Sequence, residues 1–441
     1  MSTEAPNVFA LEQSERSSLT SDFSWTFAGN AIYAAGQFAL LMLLTKLVRP
    51  EQVGEYALGL ALVYPVMMLS NMQLRSVMNS SASDRAQFGH YLSLRLMATF
   101  AAFAVIFGIT RILRYDTELT AVVLLVGIAY GIETISDVYY ARLQLHDRMA
   151  EISKSLMARA VLSVFALAVA TYATRSVIWG IAGVAVARAI ILFGYDTQER
   201  THKLRKQTKW FLLNGELAPR FDGAEQRDLL WRSLPLGIVV LLTTLNSSIP
   251  SFFIKHGIGE RELGIFSALG LTISVGNMAV VSLGQSAFTR LSRAYTSGNI
   301  RVFGSLLVGL LACGAGLGVC GMLISKFAGR EILSLLFRPE YAERADLLPW
   351  IMAAGAVLFM AQFLGFGLTA AGFYHSQVYL NILADVSLVL ACYWLVAGKG
   401  LLGAILAMLI AATVQLVASA VVLAVAMRTK FSVQTETFET A

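Results

Sequence analysis

The stretch TKLVRPEQVGEYAL, residues 45–58, recurs in altered form as KHGIGERELGIFSA, residues 255–268. Both copies join two long apolar runs through a short charged turn. Both then continue as an aliphatic residue, a glycine, a variable residue, an aromatic residue and a small one. Gly54 thereby corresponds to Gly264, at an offset close to half of the 441-residue chain. A repeat of this length predicts two copies of one membrane unit, with function located between them.

The composition is that of a membrane protein. Hydrophobic residues make up 56% of the chain and charged residues only 14%, and the mean hydropathy is +0.65. Apolar runs of spanning length cover most of the sequence, which excludes a soluble protein. We therefore expect an all-α polytopic membrane protein with about twelve transmembrane helices, in two parallel six-helix lobes around a central cavity.

The domain organisation follows from the repeat and from the placement of basic residues. Between Asp196 and Arg232 the chain is rich in Lys and Arg, which marks a cytoplasmic loop and gives a sufficient account of the net charge of +6 without nucleic acid as a partner. Because each copy has an even number of spans, both chain ends are expected on the cytoplasmic side. The predicted parts are a cytoplasmic segment 1–23, a first lobe 24–195, a cytoplasmic linker 196–232, a second lobe 233–427 and a cytoplasmic tail 428–441.

Six ionisable residues fall inside the predicted spans. Each costs roughly 2.5–3.5 kcal/mol at a helix centre, so such residues normally face a bundle interior or a watered cavity and have partners. Five belong to the first lobe, in its predicted cytoplasmic half. The six are Arg95, Glu133, Asp137, Arg159, Arg188 and Asp385.

Tyr130, Glu133, Asp137 and Tyr140 recur at helical spacing on one face of the fourth span. One interpretation is a cavity wall on which sugar rings stack between carboxylates. The alternative is that the two acids neutralise two arginines while Arg95 extends to the membrane interface. In either case three arginines against two acids leave one positive charge, which favours an anionic ligand such as a diphosphate.

Asp385 is the only acid within a span of the second lobe. Because burial favours the neutral form of a carboxyl group, Asp385 is the first candidate for proton or sodium coupling, with Glu133 and Asp137 as further candidates. The alternative is a structural hydrogen bond between helices. At the offset of the repeat Gly36-Gln37 corresponds to Asn246-Ser247, so a polar break interrupts the first helix of each lobe, and Gln37 and Asn246 are candidate cavity-lining residues. The alternative is that the glycine serves tight helix packing.

No catalytic, cofactor or metal motif is present in the sequence. It contains no G-x-x-x-x-G-K-[ST] phosphate loop and no H-E-x-x-H pattern. Its three cysteines, Cys313, Cys320 and Cys392, all lie in apolar spans, where small core residues are the usual interpretation. We therefore do not expect an enzyme.

Seven stretches spread over essentially the whole chain carry a resemblance to a known family: RPEQVGEY (49–56), NMQLRSV (71–77), FGHYLSLR (88–95), SLMAR (155–159), Arg188 with Tyr195-Asp196, LPL (234–236) and LSRAYTSGN (291–299). Together they resemble the Wzx-like oligosaccharide flippases of the multidrug/oligosaccharidyl-lipid/polysaccharide (MOP) exporter superfamily. One departure is that this family usually has a Pro shortly before the Leu-Ser of the last stretch, where this chain has Phe288 and Thr289.

This resemblance implies a flippase in the bacterial inner membrane. Its cargo would be an undecaprenyl-diphosphate-linked oligosaccharide for exopolysaccharide, capsule or O-antigen (lipopolysaccharide) synthesis. Its partners would be membrane lipids, a coupling proton or sodium ion, and the polysaccharide polymerase and glycosyltransferases of the pathway. The diphosphate would be held by Arg95, Arg159 or Arg188.

Three other functions fit parts of the sequence. A cation-coupled multidrug exporter of the same superfamily would need a cavity of net negative charge. A membrane polysaccharide polymerase or ligase would need a large outer loop with catalytic residues, whereas the longest outer loop, about 328–347, is short. A purely structural membrane scaffold would not require buried charges concentrated in one lobe.

Overall fold

A computed structural model of the protein describes residues 8–80, 88–198 and 219–439. Regular structure in these ranges is helical throughout. The predicted terminal segments and the linker lie partly outside the described residues. In chain order the helices are α1 (Val8–Leu47), α2 (Pro50–Asn71), α3 (Leu74–Ser80), α4 (Phe88–Ile112), α5 (Thr117–Leu145), α6 (Met149–Thr174), α7 (Val177–Ile191), α8 (Gly223–Gly257), α9 (Glu260–Thr296), α10 (Ile300–Leu336), α11 (Pro339–Ala342), α12 (Leu348–Ala370) and α13 (Tyr374–Glu439).

The described residues contain 11 helical segments long and apolar enough to cross a membrane. The last of them, Tyr374–Arg428, is 55 residues long. It is interrupted at Gly400, where φ is 61° and ψ is −137°, and each side of that break is long enough to span. The prediction of an all-α membrane protein with about twelve spans is therefore confirmed, and the chain is a multi-pass membrane protein.

Local sequence explains where several helices begin and turn. The Asp116 carboxylate caps α5 by accepting a hydrogen bond from the Leu119 backbone N–H at 2.9 Å, and Asn299 caps α10 in the same way. Pro50 opens α2, where its missing N–H is not needed. Pro65 lies inside the same helix and removes one backbone hydrogen bond there.

The described chain divides into two compact units. Unit 1 consists of residues 1–47 and 66–238, and unit 2 of residues 48–65 and 239–441. The division passes through α2 at Pro65, which separates the first half of that helix from the rest. The units therefore differ from the predicted lobes, whose boundaries at 195 and 233 remain a prediction about the repeat.

Unit 1 is built on close packing between α1 and α6. A Cβ atom on Gly29 would lie 2.8 Å from Ser153 Cα, and one on Gly36 would lie 2.7 Å from Ala160 Cβ. These glycines allow two helices to approach, as small residues do in membrane interiors. On the other side of the unit α5 packs against α3, α4 and α7. The apolar core at this end includes Met72, Leu74, Met78, Phe88, Tyr91, Leu92, Val138 and Tyr139.

Unit 2 is centred on α12, which packs against α9, α10 and α13. Small residues again permit close contact, since a Cβ atom on Gly318 of α10 would lie 2.0 Å from Ala356 Cβ of α12. Two aromatic residues of α12, Phe359 and Phe363, are buried with Val280 of α9. The three cysteines of this unit, Cys313, Cys320 and Cys392, are not disulfide-bonded.

Candidate functional site

The charged residues of unit 1 are organised by α5. One face of this helix carries Glu133 and Asp137 one turn apart, with Tyr140 on the next turn. Helices α3, α4, α6 and α7 bring four arginines and one further acid to it. We call these seven charged side chains together with Tyr140 the charged cluster: Arg75, Arg95, Glu133, Asp137, Arg159, Arg188, Asp196 and Tyr140.

Arg159 of α6 forms the most deeply buried ion pair. Its Nη2 donates to Asp196 Oδ2 at 2.8 Å, and the exposed fractions of the two side chains are 1% and 0%. Asp196 Oδ1 also accepts from the Ser155 hydroxyl, which contacts the Tyr140 hydroxyl at 2.7 Å. Asp196 ends a π-helical turn, Leu192–Asp196, that follows α7 and points its carboxylate inward.

Arg188 of α7 pairs with Glu133 of α5. Arg188 Nη1 lies 2.6 Å from Glu133 Oε2 and donates to the Ala129 carbonyl oxygen at 3.1 Å. Its guanidinium carbon lies 5.0 Å from the centre of the Tyr130 ring, a favourable cation–π contact. The other Glu133 oxygen accepts a hydrogen bond from the Tyr33 hydroxyl of α1. This group therefore joins three helices.

Asp137 is shared between two arginines and held loosely by both. Its Oδ2 lies 3.8 Å from Arg95 Nη2, and its Oδ1 lies 3.5 Å from Arg75 Nη1. Arg95 is fully buried and also donates to the Ser70 carbonyl and to Asn71 Oδ1, both at 3.2 Å. The alternative in which Arg95 extends to the membrane interface is therefore wrong, because its side chain is buried and donates to acceptors near the end of α2.

Arg75 differs from the other three arginines in its exposure. Its side chain is 31% exposed and that of Asp137 is 24% exposed, whereas Arg95, Arg159 and Arg188 are all buried. Arg75 Nε donates to Gln144 Oε1 at 2.8 Å, and its guanidinium carbon lies 5.9 Å from the centre of the Tyr140 ring. Of the four cations of the cluster, Arg75 is the one that an external ligand can reach most readily.

The charge balance of the cluster is positive. Four guanidinium groups face three carboxylates, those of Glu133, Asp137 and Asp196. With every group in its charged form, one positive charge remains. The sequence predicted the same excess from fewer residues, since Arg75 and Asp196 add one charge of each sign. A partly exposed surface with this balance attracts anions.

The two tyrosines expected to stack against sugars have different surroundings. Tyr140 is buried, and the guanidinium of Arg159 lies 5.5 Å from its ring centre in addition to that of Arg75. The Tyr140 ring therefore already contacts two guanidinium groups of the protein. Tyr130 is partly buried. Gln37 is partly buried on α1, one turn after Tyr33.

Sequence reasoning missed Arg75, Asp196 and Tyr33 as members of the site. The sequence places Asp196 in the linker because the apolar run ends just before it. Arg75 lies two residues beyond the second predicted span, 56–73, although the same position falls within a stretch that carries the family resemblance. Tyr33 gave no signal, since a tyrosine in an apolar helix is common.

A second polar contact lies in unit 2. Asn246 Nδ2 of α8 donates to Asp385 Oδ1 of α13 at 3.0 Å. Asp385 is buried, and its Oδ2 accepts no hydrogen bond from the described residues. One turn earlier on α13, Asn381 Oδ1 accepts from Gln415 Nε2 at 3.1 Å. The structure thus brings together two residues that the sequence had nominated for different roles.

Comparison with known proteins gives one curated relative and several solved structures. No protein-family model matches the chain. The relative is the capsular polysaccharide biosynthesis protein CapF of Staphylococcus aureus, which is 24% identical over 408 residues, 90% of this chain and 98% of CapF.

Three of the solved structures that match are a MATE transporter, a lipid flippase and a further transporter. An inward-facing multidrug resistance MATE family transporter of the MOP superfamily matches with a TM-score of 0.68 and 13% identity, over 93% of this chain and 99% of that one. The lipid II flippase MurJ in an inward closed conformation matches with a TM-score of 0.67 and 11% identity, over 90% of this chain and 86% of MurJ. A MOP superfamily transporter from Pyrococcus furiosus, described as having a binding pocket of reverse polarity, matches with a TM-score of 0.59 and 13% identity over 93% and 94% of the two chains. The chain therefore has the fold that MATE transporters and the lipid II flippase share.

Proposed function

We propose that this protein is a polysaccharide flippase of the MOP superfamily. Its cargo is an undecaprenyl-diphosphate-linked oligosaccharide, which it moves from the cytoplasmic to the outer leaflet of the bacterial inner membrane by alternating access. Support comes from similarity over nearly the whole chain to a capsular polysaccharide biosynthesis protein and from a fold shared with a lipid II flippase. The product would serve capsule, exopolysaccharide or O-antigen synthesis, with the glycosyltransferases and polymerase of that pathway as partners.

The observation that carries this proposal is the positive balance of the charged cluster. Charged side chains inside a membrane are costly and mark the routes of polar substrates. Four arginines against three acids favour an anionic cargo such as a lipid diphosphate. A multidrug exporter for cationic compounds, the alternative that the MATE fold allows, would be expected to carry the opposite excess.

Burial suggests different roles for the arginines nominated from the sequence. Arg95, Arg159 and Arg188 are each held by acceptors of the protein. We propose that they hold the cluster together and set its positive potential. A polar headgroup would then be received at the partly exposed part of the cluster, around Arg75 and Asp137.

We assign coupling to an ion gradient to Asp385 of unit 2 and its contact with Asn246. Asp385 has one hydrogen-bond partner, Asn246, and no cation within ion-pair distance among the described residues. Uptake and release of a proton, or of sodium, by Asp385 would provide the free energy for directional flipping, and Glu133 and Asp137 are further candidates for this role.

The test is a flipping assay with the purified full-length protein in proteoliposomes. Undecaprenyl diphosphate bearing a fluorescent oligosaccharide is placed in both leaflets, and the fraction accessible to an added membrane-impermeant quencher is followed over time. Protein-dependent equilibration between leaflets is expected. Efflux of ethidium without movement of the labelled lipid would instead support the multidrug exporter.

A further inference from the structure

We infer that Arg75 is the residue of the charged cluster that binds the phosphate groups of the cargo, in exchange for part of its contact with Asp137. This inference rests on the proposed function and assigns the binding step to a residue outside the set nominated from the sequence. Three features of the structure support it: the backbone that places Arg75, the weakness of its carboxylate contact, and its exposure.

The backbone before Arg75 has an unusual conformation. Met72 and Gln73, neither of them glycine, have φ angles of 48° and 51°. Left-handed conformations are unfavourable for non-glycine residues and persist only where the surroundings enforce them. Here the enforcing contacts are apolar, because Met72, Leu74 and Met78 are all buried in the core of unit 1. The break ends α2, begins α3 and so directs Arg75 toward α5.

The contacts of Arg75 hold its position without neutralising it fully. Gln144, a neutral acceptor, receives the short hydrogen bond at 2.8 Å, whereas the charged Asp137 is 3.5 Å away. Asp137 also faces Arg95, so its single charge is divided between two cations. A diphosphate oxygen could approach Arg75 more closely than Asp137 does, and such charge-assisted contacts are strong.

The position of Arg75 in the predicted membrane topology agrees with a role in binding the cargo. Arg75 follows α2 at the end that the topology prediction places on the cytoplasmic side, where a lipid-linked oligosaccharide would enter. By contrast Arg159, at 1% exposure, could reach a ligand only after losing Asp196. The partly exposed Arg75 side chain therefore accounts for phosphate recognition without breaking a buried pair.

The experiment measures binding of farnesyl diphosphate to the full-length protein in neutral-lipid nanodiscs, with farnesol and phosphatidylglycerol as comparison ligands. Arg75→Gln is expected to weaken farnesyl diphosphate binding about 10- to 100-fold, and Arg75→Lys less. Farnesol binding should not change. Arg232→Gln is the matched control, since Arg232 is exposed and pairs with Asp228 on its own helix.

Two further variants separate binding from a structural role. Gln144→Glu gives Arg75 a charged partner, so it should preserve or raise thermal stability but weaken farnesyl diphosphate binding severalfold. Asp137→Asn should strengthen binding by removing the competing carboxylate. If Arg75 only supported the fold, binding would follow stability in all variants.

The outcomes also separate this inference from the proposed function. If the wild type and Arg75→Gln bind farnesyl diphosphate equally well, only the role of Arg75 is overturned. Absence of diphosphate-dependent binding in the wild type would overturn both. Competition by phosphatidylglycerol as strong as that by farnesyl diphosphate would show a site for anionic lipids in general and would also overturn the inference.

Discussion

Gly54 and Gly264, the corresponding glycines of the two repeats, contact each other's helix in a reciprocal manner. A Cβ atom on Gly54 would lie 1.9 Å from the Glu260 carbonyl oxygen, and one on Gly264 would lie 2.0 Å from the Pro50 carbonyl oxygen. Pro50 and Glu260 each stand four residues before one of these glycines and begin α2 and α9. The recurring motif thus forms a symmetric backbone contact that only glycine permits.

Alanine at either glycine should therefore separate α2 from α9. We expect Gly54→Ala and Gly264→Ala to destabilise the protein by about 1–3 kcal/mol, the usual range for overpacking, and to reduce flipping. Thermal unfolding in detergent and the proteoliposome assay measure the two effects.

Gly270→Ala is the control, because Gly270 lies in the interior of α9 with no atom within 4 Å of an added Cβ. At this position alanine should leave the stability of the protein unchanged or raise it. Equal behaviour of all three variants would contradict the packing argument.

The Arg159–Asp196 pair should behave as a structural unit. Removing one partner of a buried ion pair leaves an uncompensated charge, at a typical cost of about 3–5 kcal/mol. We expect Arg159→Ala and Asp196→Ala to lower the amount of folded protein in the membrane strongly. The double variant Arg159→Met with Asp196→Leu should recover much of that loss, because no isolated charge remains. The comparison is made by fluorescence-detected size-exclusion chromatography, and a double variant as unstable as the sum of the singles would refute the pairing.

The Glu133 carboxylate should contribute to stability through Arg188 more than through Tyr33. Glu133→Gln leaves Arg188 with a neutral partner, so we expect lower expression and a lower midpoint of thermal unfolding. Tyr33→Phe removes only the neutral donor of the hydrogen bond to Glu133 and should cost about 1.5–3 kcal/mol, the range for a hydrogen bond to a charged group, against about 3–5 kcal/mol for breaking a buried ion pair. If Tyr33→Phe lost more thermal stability than Glu133→Gln, the hydrogen bond from Tyr33 of α1, and not the ion pair with Arg188, would be the more important contact of Glu133.

Asp385→Asn should separate coupling from folding. The variant retains an oxygen that can accept from Asn246 but cannot take up a proton. We expect it to fold and to bind cargo, yet to lose stimulation of flipping by an imposed proton or sodium gradient. Asp346→Asn, at an exposed acid of the same unit, is the matched control. Gradient stimulation of Asp385→Asn at the wild-type level would leave Glu133 and Asp137 as the candidates for coupling.

Both chain ends and the segment 196–232 should be cytoplasmic. The reason is the basic character of that segment together with an even number of spans on either side of it. Alkaline phosphatase and green fluorescent protein fused within the segment and at the C-terminus report the side directly. Active phosphatase in the segment would reverse the orientation and place Arg75 at the outer leaflet.

The sequence by itself determined the architecture of this protein. Hydropathy marks membrane helices because the bilayer imposes their length and apolarity residue by residue. The recurrence of the motif around Gly54 revealed the repeat for a similarly local reason, since a backbone contact that excludes a Cβ atom requires glycine in both copies. The charged residues within spans were visible because their cost in a membrane requires partners.

Only the tertiary structure decided which partner each charge has. Helical spacing placed Glu133 and Asp137 on one face of α5, but the rotation and packing of four neighbouring helices determined that Glu133 meets Arg188 and that Asp137 is divided between Arg95 and Arg75. The π-helical turn that directs Asp196 to Arg159 and the left-handed residues Met72 and Gln73 have no distinctive sequence signal. Core packing enforces both conformations, and packing depends on residues far apart in the chain.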